Sequence, residues 1–107
     1  MFHALQNIKS HEVFPGFHGR FIHSEKMTLA FWEIRKGSTV PEHNHVHEQV
    51  VNVLEGEFEL TVDGVSKILS SGMVVTIPPN ARHSGKALTD SKILDIFSPV
   101  REDYVFS

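Results

Sequence analysis

Hydrophobic residues along the chain recur at every second position rather than at helical spacing. Phe58, Leu60 and Val62 alternate with polar residues over 57–63, which predicts a strand with one buried and one solvent-facing side. Aromatic and β-branched residues predict further strands at 28–34, 49–54, 65–69, 73–77, 83–88 and 92–97. Apart from a turn near residues 1–8, no stretch has a convincing helical period.

Turn-forming residues separate these apolar segments. Asp63-Gly64 is a strong signal for a two-residue hairpin. Pro78 and Pro79 cannot donate to a ladder of hydrogen bonds and therefore end the strand before them. Roughly seven or eight short strands with turns between them are typical of a β-sandwich or β-barrel. We therefore expect an all-β fold.

Length and charge narrow the possible classes of protein. The 107 residues predict one domain over 1–107. The net charge of −3 has no basic cluster, which argues against a nucleic-acid partner. The absence of cysteine excludes a disulfide framework and a thiolate zinc site. The first residues lack a long apolar run and a cleavage pattern, so we expect no membrane span, no signal peptide and a cytoplasmic location.

Four of the eight histidines lie in two stretches that carry the candidate chemistry. His43 and His45 would share one face of a regular strand, because side chains alternate with period two. Gln49 has the same parity, and His83 follows a Pro-Asn turn further along the chain. Three imidazoles and a carboxamide oxygen can form an open site for one divalent metal ion. Alternatively, the histidines could line the mouth of a barrel without a metal.

The fourth ligand has two candidates. Strand parity points Glu48 away from the histidines, so we predict Gln49. Four neutral ligands would leave the ion most of its charge and favour an anionic substrate group such as a carboxylate. His47 also has the ligand parity, but the substrate needs room, so we place His47 beside the site or towards solvent. Ligand type leaves iron, manganese, nickel, cobalt and zinc open.

Two charged residues follow the second histidine stretch. Asp95 lies mid-strand between Leu94 and Ile96 and therefore faces the side opposite these apolar neighbours. Asp95 is either a structural partner for a buried Arg or His, or an acid/base that faces the metal. Arg101 is either an ordinary tail charge or a planar fork that holds a carboxylate through two hydrogen bonds. The large aromatic residues are assigned to the core: Phe31, Trp32, Phe58 and Phe97.

Both histidine stretches resemble the two motifs of the cupin superfamily. The segment from Gly37 to Gly56 matches the spacing of the first motif, with Gln49 in place of the usual glutamate. The segment from Gly72 resembles the second motif but has Asn80 where glycine is usual and Ala87 where asparagine is usual. Asparagine also tolerates a left-handed backbone. The resemblance covers about residues 28–98 and implies a double-stranded β-helix, a jelly-roll barrel with a metal at its mouth. Cupins share no single reaction.

A narrower resemblance points to the small cupins of the KdgF type. It rests on residues 47–49 and on the segment 94–104. These cupins act in pectin and alginate catabolism and open the ring of 4,5-unsaturated monouronates. The resemblance implies a small anionic sugar-acid substrate and a metal held by three histidines and a glutamine. It assigns further functional roles to Asp95 and Arg101.

Two other functions are compatible with the sequence. A three-histidine iron centre could activate O₂ in a cupin dioxygenase, and the barrel mouth could hold a small molecule or sugar without turnover. The sequence also carries an apolar set that could support a homodimer, the commonest symmetric assembly. This set consists of Val50, Leu54, Leu94 and Ile96.

Overall fold

A computed structural model describes residues 1–106, which form ten strands and two short 3₁₀ helices. The strands are β1 (His11–Phe14), β2 (Phe17–His23), β3 (Thr28–Ile34), β4 (Thr39–His43), β5 (Glu48–Glu55), β6 (Glu57–Val62), β7 (Val65–Ser70), β8 (Val74–Ile77), β9 (His83–Ala87) and β10 (Ser91–Ser98). The 3₁₀ helices are Leu5–Asn7 and Glu102–Tyr104. Within residues 1–106, no helix has the length and hydropathy needed to cross a bilayer.

The strands form two antiparallel sheets that enclose the core. The larger sheet has the order β1-β2-β3-β10-β5-β8, and the smaller has the order β4-β9-β6-β7. Side chains alternate between the core and the outer face, as in β10, where Ile93, Asp95 and Phe97 point inward. In β3 Trp32 points inward but Phe31 lies half-buried on the outer face, so the assignment of Phe31 to the core is wrong. The prediction of an all-β fold is confirmed.

All seven predicted strands are present, with ends within one residue of the predicted bounds. Strands β1 and β2 had no specific prediction, and for β4 the only expectation was a strand that contains His43 and His45. In β2 the inward position opposite Trp32 is Gly19, where a Cβ atom would lie 2.8 Å from the indole ring. Because glycine occupies this inward position, the sequence of β2 lacks a continuous alternation of apolar and polar residues. Strand β4 contains Pro41, which is tolerated because β4 is an edge strand of the smaller sheet.

The turn residues in the sequence correctly indicated where the backbone adopts positive φ values. Asp63 and Gly64 have φ values of 47° and 82°, and they connect β6 to β7 with Val62 opposite Val65. A type I′ turn requires positive φ at both of its central residues, and these two residues meet that requirement. Asn80 has a φ of 67°, the conformation expected where glycine is replaced by asparagine.

Register brings the candidate residues to one end of the barrel. Gln49 at the start of β5 pairs with Phe97 near the end of β10. His43 at the end of β4 pairs with His83 at the start of β9. Asp95 lies one inward position deeper along β10 than Phe97. The rest of the core is largely aliphatic and aromatic, so buried polar groups concentrate where these strands meet.

Candidate metal centre

Three histidines converge from both sides of the barrel mouth. His43 ends β4 and faces His83 on β9, whereas His45 lies in the loop between β4 and β5. The candidate ligand atoms of the three side chains all lie within 4.8 Å of one another. The expectation that His43 and His45 share a face of one regular strand is wrong, because β4 ends at His43. The loop, rather than strand parity, carries His45 back to the other two imidazoles.

Backbone carbonyl groups set the orientation of each imidazole ring. In every case Nδ1 lies within hydrogen-bond distance of a carbonyl oxygen two residues away. The pairs are His43 with Pro41 (2.9 Å), His45 with His47 (3.0 Å) and His83 with Ala81 (2.9 Å). A neutral imidazole that donates its Nδ1–H keeps its lone pair on Nε2. Metal-binding histidines are commonly held by a carbonyl in this way, and this arrangement leaves the Nε2 atom of each ring available to a metal ion.

The contact between His45 and Gln49 is a second observation that bears on whether these side chains bind a metal ion. His45 Nε2 lies 3.1 Å from Gln49 Oε1. Burial, with the nearby Arg101 charge and His83, lowers the pKa of His45 to about 4, so the ring is neutral at pH 7. The neutral ring has one N–H but two acceptors, the carbonyl of His47 and Gln49 Oε1. When the carbonyl takes the proton, two lone pairs face each other across 3.1 Å. A cation between the two atoms would turn this repulsion into attraction.

His83 supports the same interpretation. The side chain is buried, and its Nε2 atom has no hydrogen-bond partner within residues 1–106. Burial lowers the pKa of His83, which favours the neutral ring. Buried nitrogen atoms without a partner are uncommon and need an explanation. The residues therefore fit one divalent ion, although the ligand types leave its identity open.

The residues beside the histidines differ in their orientation. Gln49 is 7% exposed and points inward, whereas Glu48 is exposed to solvent. His47 lies beside the cluster, with its ring centroid 5.3 Å from that of His45. Its Nε2 atom lies 3.2 Å from the carbonyl oxygen of Val100 and is positioned to donate to it. His47 therefore connects the ligand loop to the segment that carries Arg101.

Asp95 is a buried carboxyl group that lines the same cavity as His43, Gln49 and His83. Its Oδ2 atom accepts a hydrogen bond of 3.1 Å from Trp32 Nε1, and its Oδ1 atom has no partner among the described residues. Burial raises the pKa of Asp95 to about 7, although Gln49, Trp32 and the Arg101 charge favour the ionised form. Both protonation states are therefore accessible near neutral pH.

Arg101 presents a fixed guanidinium group to the cavity. The group lies over the rings of Phe97 and Tyr104, at 4.7 and 4.2 Å from their centroids. Its Nε and Nη2 atoms donate to the two Asp103 carboxylate oxygens at 2.9 and 2.7 Å. Burial alone would lower the pKa of Arg101, but the Asp103 hydrogen bonds and Tyr104 raise it. The edge with Nη1 and the second Nη2 hydrogen is left for another acceptor.

Sequence patterns did not single out three residues that contact these groups. Trp32 was assigned to the core, and it is buried, but its N–H also binds Asp95. Asp103 and Tyr104 lie in the tail after β10, where no periodic pattern indicates which side chains fold back. The proximity of Asp103 to Arg101 in the sequence was the only available signal for their ion pair.

Comparisons with known proteins agree with this fold and cluster. The cupin domain family matches residues 30–97. The pectin degradation protein KdgF of Dickeya dadantii (strain 3937) is 30% identical over 84 residues, which cover 77% of this chain and 76% of that protein.

Two solved structures are similar over nearly the whole chain. The structure of KdgF from Halomonas sp. has a TM-score of 0.92 at 28% identity and covers 98% of each chain. An RmlC-like cupin from Shewanella frigidimarina also has a TM-score of 0.92, at 31% identity, over 97% of this chain and 95% of that one. The prediction of a cupin jelly roll is confirmed. The chain belongs to the cupin family and is a KdgF-like cupin.

Proposed function

We propose that the chain binds one divalent metal ion through His43, His45, Gln49 and His83 and opens the ring of a 4,5-unsaturated monouronate. One observation carries the proposal most strongly. Asp95, whose Oδ1 atom has no hydrogen-bond partner among the described residues, and Arg101 line the same cavity as His43, Gln49 and His83. The relative that acts in pectin degradation supports a sugar acid as the substrate class.

Arg101 is the group we assign to the substrate carboxylate. Two aromatic rings and Asp103 hold the guanidinium plane before any ligand arrives. The remaining edge carries two N–H donors in the geometry that matches a carboxylate. A donor fixed in this way orients the sugar ring with little loss of side-chain freedom on binding. Bound by four neutral ligands, the metal would act as a Lewis acid on substrate oxygens where negative charge develops.

The reaction is an isomerisation in which a proton leaves oxygen and another is gained by carbon. The bond from C1 to the ring oxygen breaks while the C1 hydroxyl loses its proton, which leaves an aldehyde at C1. The ring oxygen remains on C5 as an enolate oxygen, and C4 gains a proton as this enolate becomes a ketone. Asp95 Oδ1 would accept the hydroxyl proton and return a proton to C4. A pKa of about 7 suits both steps.

Proton NMR of the reaction mixture tests the proposed function. With metal-loaded protein and a 4,5-unsaturated monouronate, we expect loss of the vinyl H4 signal and formation of the linear keto acid. An oxygen electrode should show no consumption of O₂ during this conversion. Oxygen uptake that accompanies substrate loss would contradict the proposal and favour a dioxygenase. Tight binding of the monouronate without conversion would contradict it in favour of a binding module.

Replacing Arg101 with lysine tests the carboxylate contact. Lysine keeps the charge but loses the planar fork and the stacking on Phe97 and Tyr104. We expect kcat/KM to fall by roughly 10- to 100-fold, mainly through a higher KM, because a bidentate contact is lost. The control is Arg82→Lys, since the Arg82 side chain is 74% exposed and pairs with Glu42 at the surface. An unchanged KM in Arg101→Lys would contradict the assigned contact.

We also propose that the active form is a homodimer that pairs through the outer face of the larger sheet. Half-buried apolar side chains form a row across four neighbouring strands of this face. The row, in cross-strand order, is Ile22, Leu29, Ile96 and Val50. Phe31 and Leu94 extend it as an adjacent pair, and Leu54 is 47% exposed further along β5. A continuous apolar face of this kind suits a self-complementary interface.

The substitution Leu29→Glu tests the proposed dimer. Two copies of the new carboxylate would be buried close to each other in a symmetric interface, and we expect the mass in solution to fall from dimer to monomer at micromolar concentration. Sedimentation velocity measures this change. Ile68→Glu, at a 50% exposed position on the edge strand β7 of the other sheet, should remain dimeric. A monomeric wild-type protein would contradict the proposal.

A further inference from the structure

Trp32 is the only tryptophan in the chain, and its ring is held on several sides inside the barrel. Phe17, Phe21 and Tyr104 approach the indole edge-on, at centroid distances of 6.0, 5.4 and 5.9 Å. Gly19 lies directly opposite on β2, where any side chain would collide with the ring. These contacts leave the indole little freedom to rotate, so its N–H has a fixed direction.

That N–H is directed at the carboxyl group of Asp95. The two residues are not direct partners across the sheet, because Asp95 pairs with Ala30 and Trp32 pairs with Ile93. The indole therefore reaches diagonally to Asp95 Oδ2, at 3.1 Å. The residue directly opposite Asp95 is Ala30, which is fully buried and leaves room for the carboxyl group.

We propose that Trp32 is a positioning residue that fixes Asp95 with Oδ2 bound and Oδ1 free for the substrate. The torsion that rotates an aspartate carboxyl group is intrinsically broad. Without a fixed donor, the two oxygens of Asp95 would exchange places or turn away from the reacting atoms. The hydrogen bond removes this freedom and assigns a different task to each oxygen. The inference rests on the proposed function for its effect on the reaction.

Because Trp32 is the sole tryptophan, its N–H can be removed with almost no change in shape. Expression in a tryptophan auxotroph supplied with benzothienylalanine replaces only the indole nitrogen, by sulfur. We expect kcat of the metal-loaded protein to fall about 10- to 100-fold, as for loss of a hydrogen bond to a charged group. KM should change by less than about threefold, because ground-state binding is retained. The variant Trp32→Phe should show the same pattern.

A control separates positioning from general loss of core packing. Leu69 is 1% exposed, lies on β7 of the other sheet and does not line the cavity. Leu69→Ala should lower the thermal unfolding temperature more than the sulfur analogue does, yet keep kcat near the wild-type value. An unchanged kcat in the sulfur analogue would overturn the inference, as would an equal loss of kcat in Leu69→Ala.

A second readout does not depend on turnover. The single indole N–H signal in a ¹H–¹⁵N spectrum should shift markedly in Asp95→Ala, which removes the acceptor, and should stay in place in Leu69→Ala. An indole signal unaffected by Asp95→Ala would overturn the inference even if the enzyme is active. If the wild-type protein does not accelerate ring opening, the proposed function fails, and the indole signal alone decides whether Trp32 holds Asp95.

Discussion

His45→Ala is expected to abolish stoichiometric metal binding and, with it, turnover. The substitution removes one of the three converging imidazoles and also the atom that faces Gln49 Oε1 at 3.1 Å. Loss of groups that only support a metal ligand typically costs 10- to 100-fold in affinity, so loss of a ligand should cost more than about 100-fold. Elemental analysis of protein purified without chelator should find about one ion per wild-type chain and almost none in the variant.

The matched control for this experiment is His3→Ala. His3 is exposed and lies outside the cluster, so the variant should retain the wild-type metal content. The comparison excludes nonspecific binding by a chain that contains eight histidines. Equal metal content in His45→Ala and wild type would contradict the assigned ligands.

Asp95→Asn is expected to lower kcat by roughly 10²- to 10⁴-fold, the usual contribution of a positioned acid or base. Asparagine has nearly the same shape and can still accept the hydrogen bond from Trp32, but it cannot carry the proton. The neutral amide also avoids the cost of burying a charge, so the variant should be at least as stable as the wild type. Steady-state kinetics and thermal unfolding measure the two effects separately.

The control for Asp95→Asn is Glu33→Gln, which makes the same change of charge at an exposed position of β3. This variant should have the wild-type kcat. If Asp95→Asn is as fast as the wild type while metal content is unchanged, the proton must travel by another route. The role of Asp95 would then be wrong, whereas the metal centre would be unaffected.

The sequence predicted those parts of the fold that depend on local signals. The alternation of Phe58, Leu60 and Val62 and the Asp63-Gly64 turn define one hairpin without help from the rest of the chain. Strand β2 was not predicted because one of its inward positions is Gly19. Glycine is needed there because the Trp32 ring, on another strand, leaves no space for a side chain. The position of a glycine that accommodates a distant ring cannot be recognised from a local pattern.

In the candidate site, too, local sequence identified some residues, whereas others could be recognised only from the tertiary structure. The residue types and spacing of the histidine stretches identified the cluster, although strand parity was the wrong reason for grouping His45 with His43. The partners of Asp95 and Arg101 depend on tertiary structure. Trp32 and Asp95 are 63 positions apart in the chain, and Arg101 lies over the Phe97 ring because the tail folds back after β10. Such contacts follow from the closed barrel rather than from any period in the sequence.

Metal-dependent ring opening is tested most directly by the initial rate at which a 4,5-unsaturated monouronate loses its ultraviolet absorbance. The comparison needs three samples: metal-loaded wild-type protein, His45→Ala at the same total metal concentration, and the metal in buffer alone. Ring opening also occurs spontaneously, so the buffer sample sets the background. We expect a rate that rises in proportion to wild-type protein and stays at background for the other two samples. A wild-type rate equal to that of the metal in buffer would contradict this expectation.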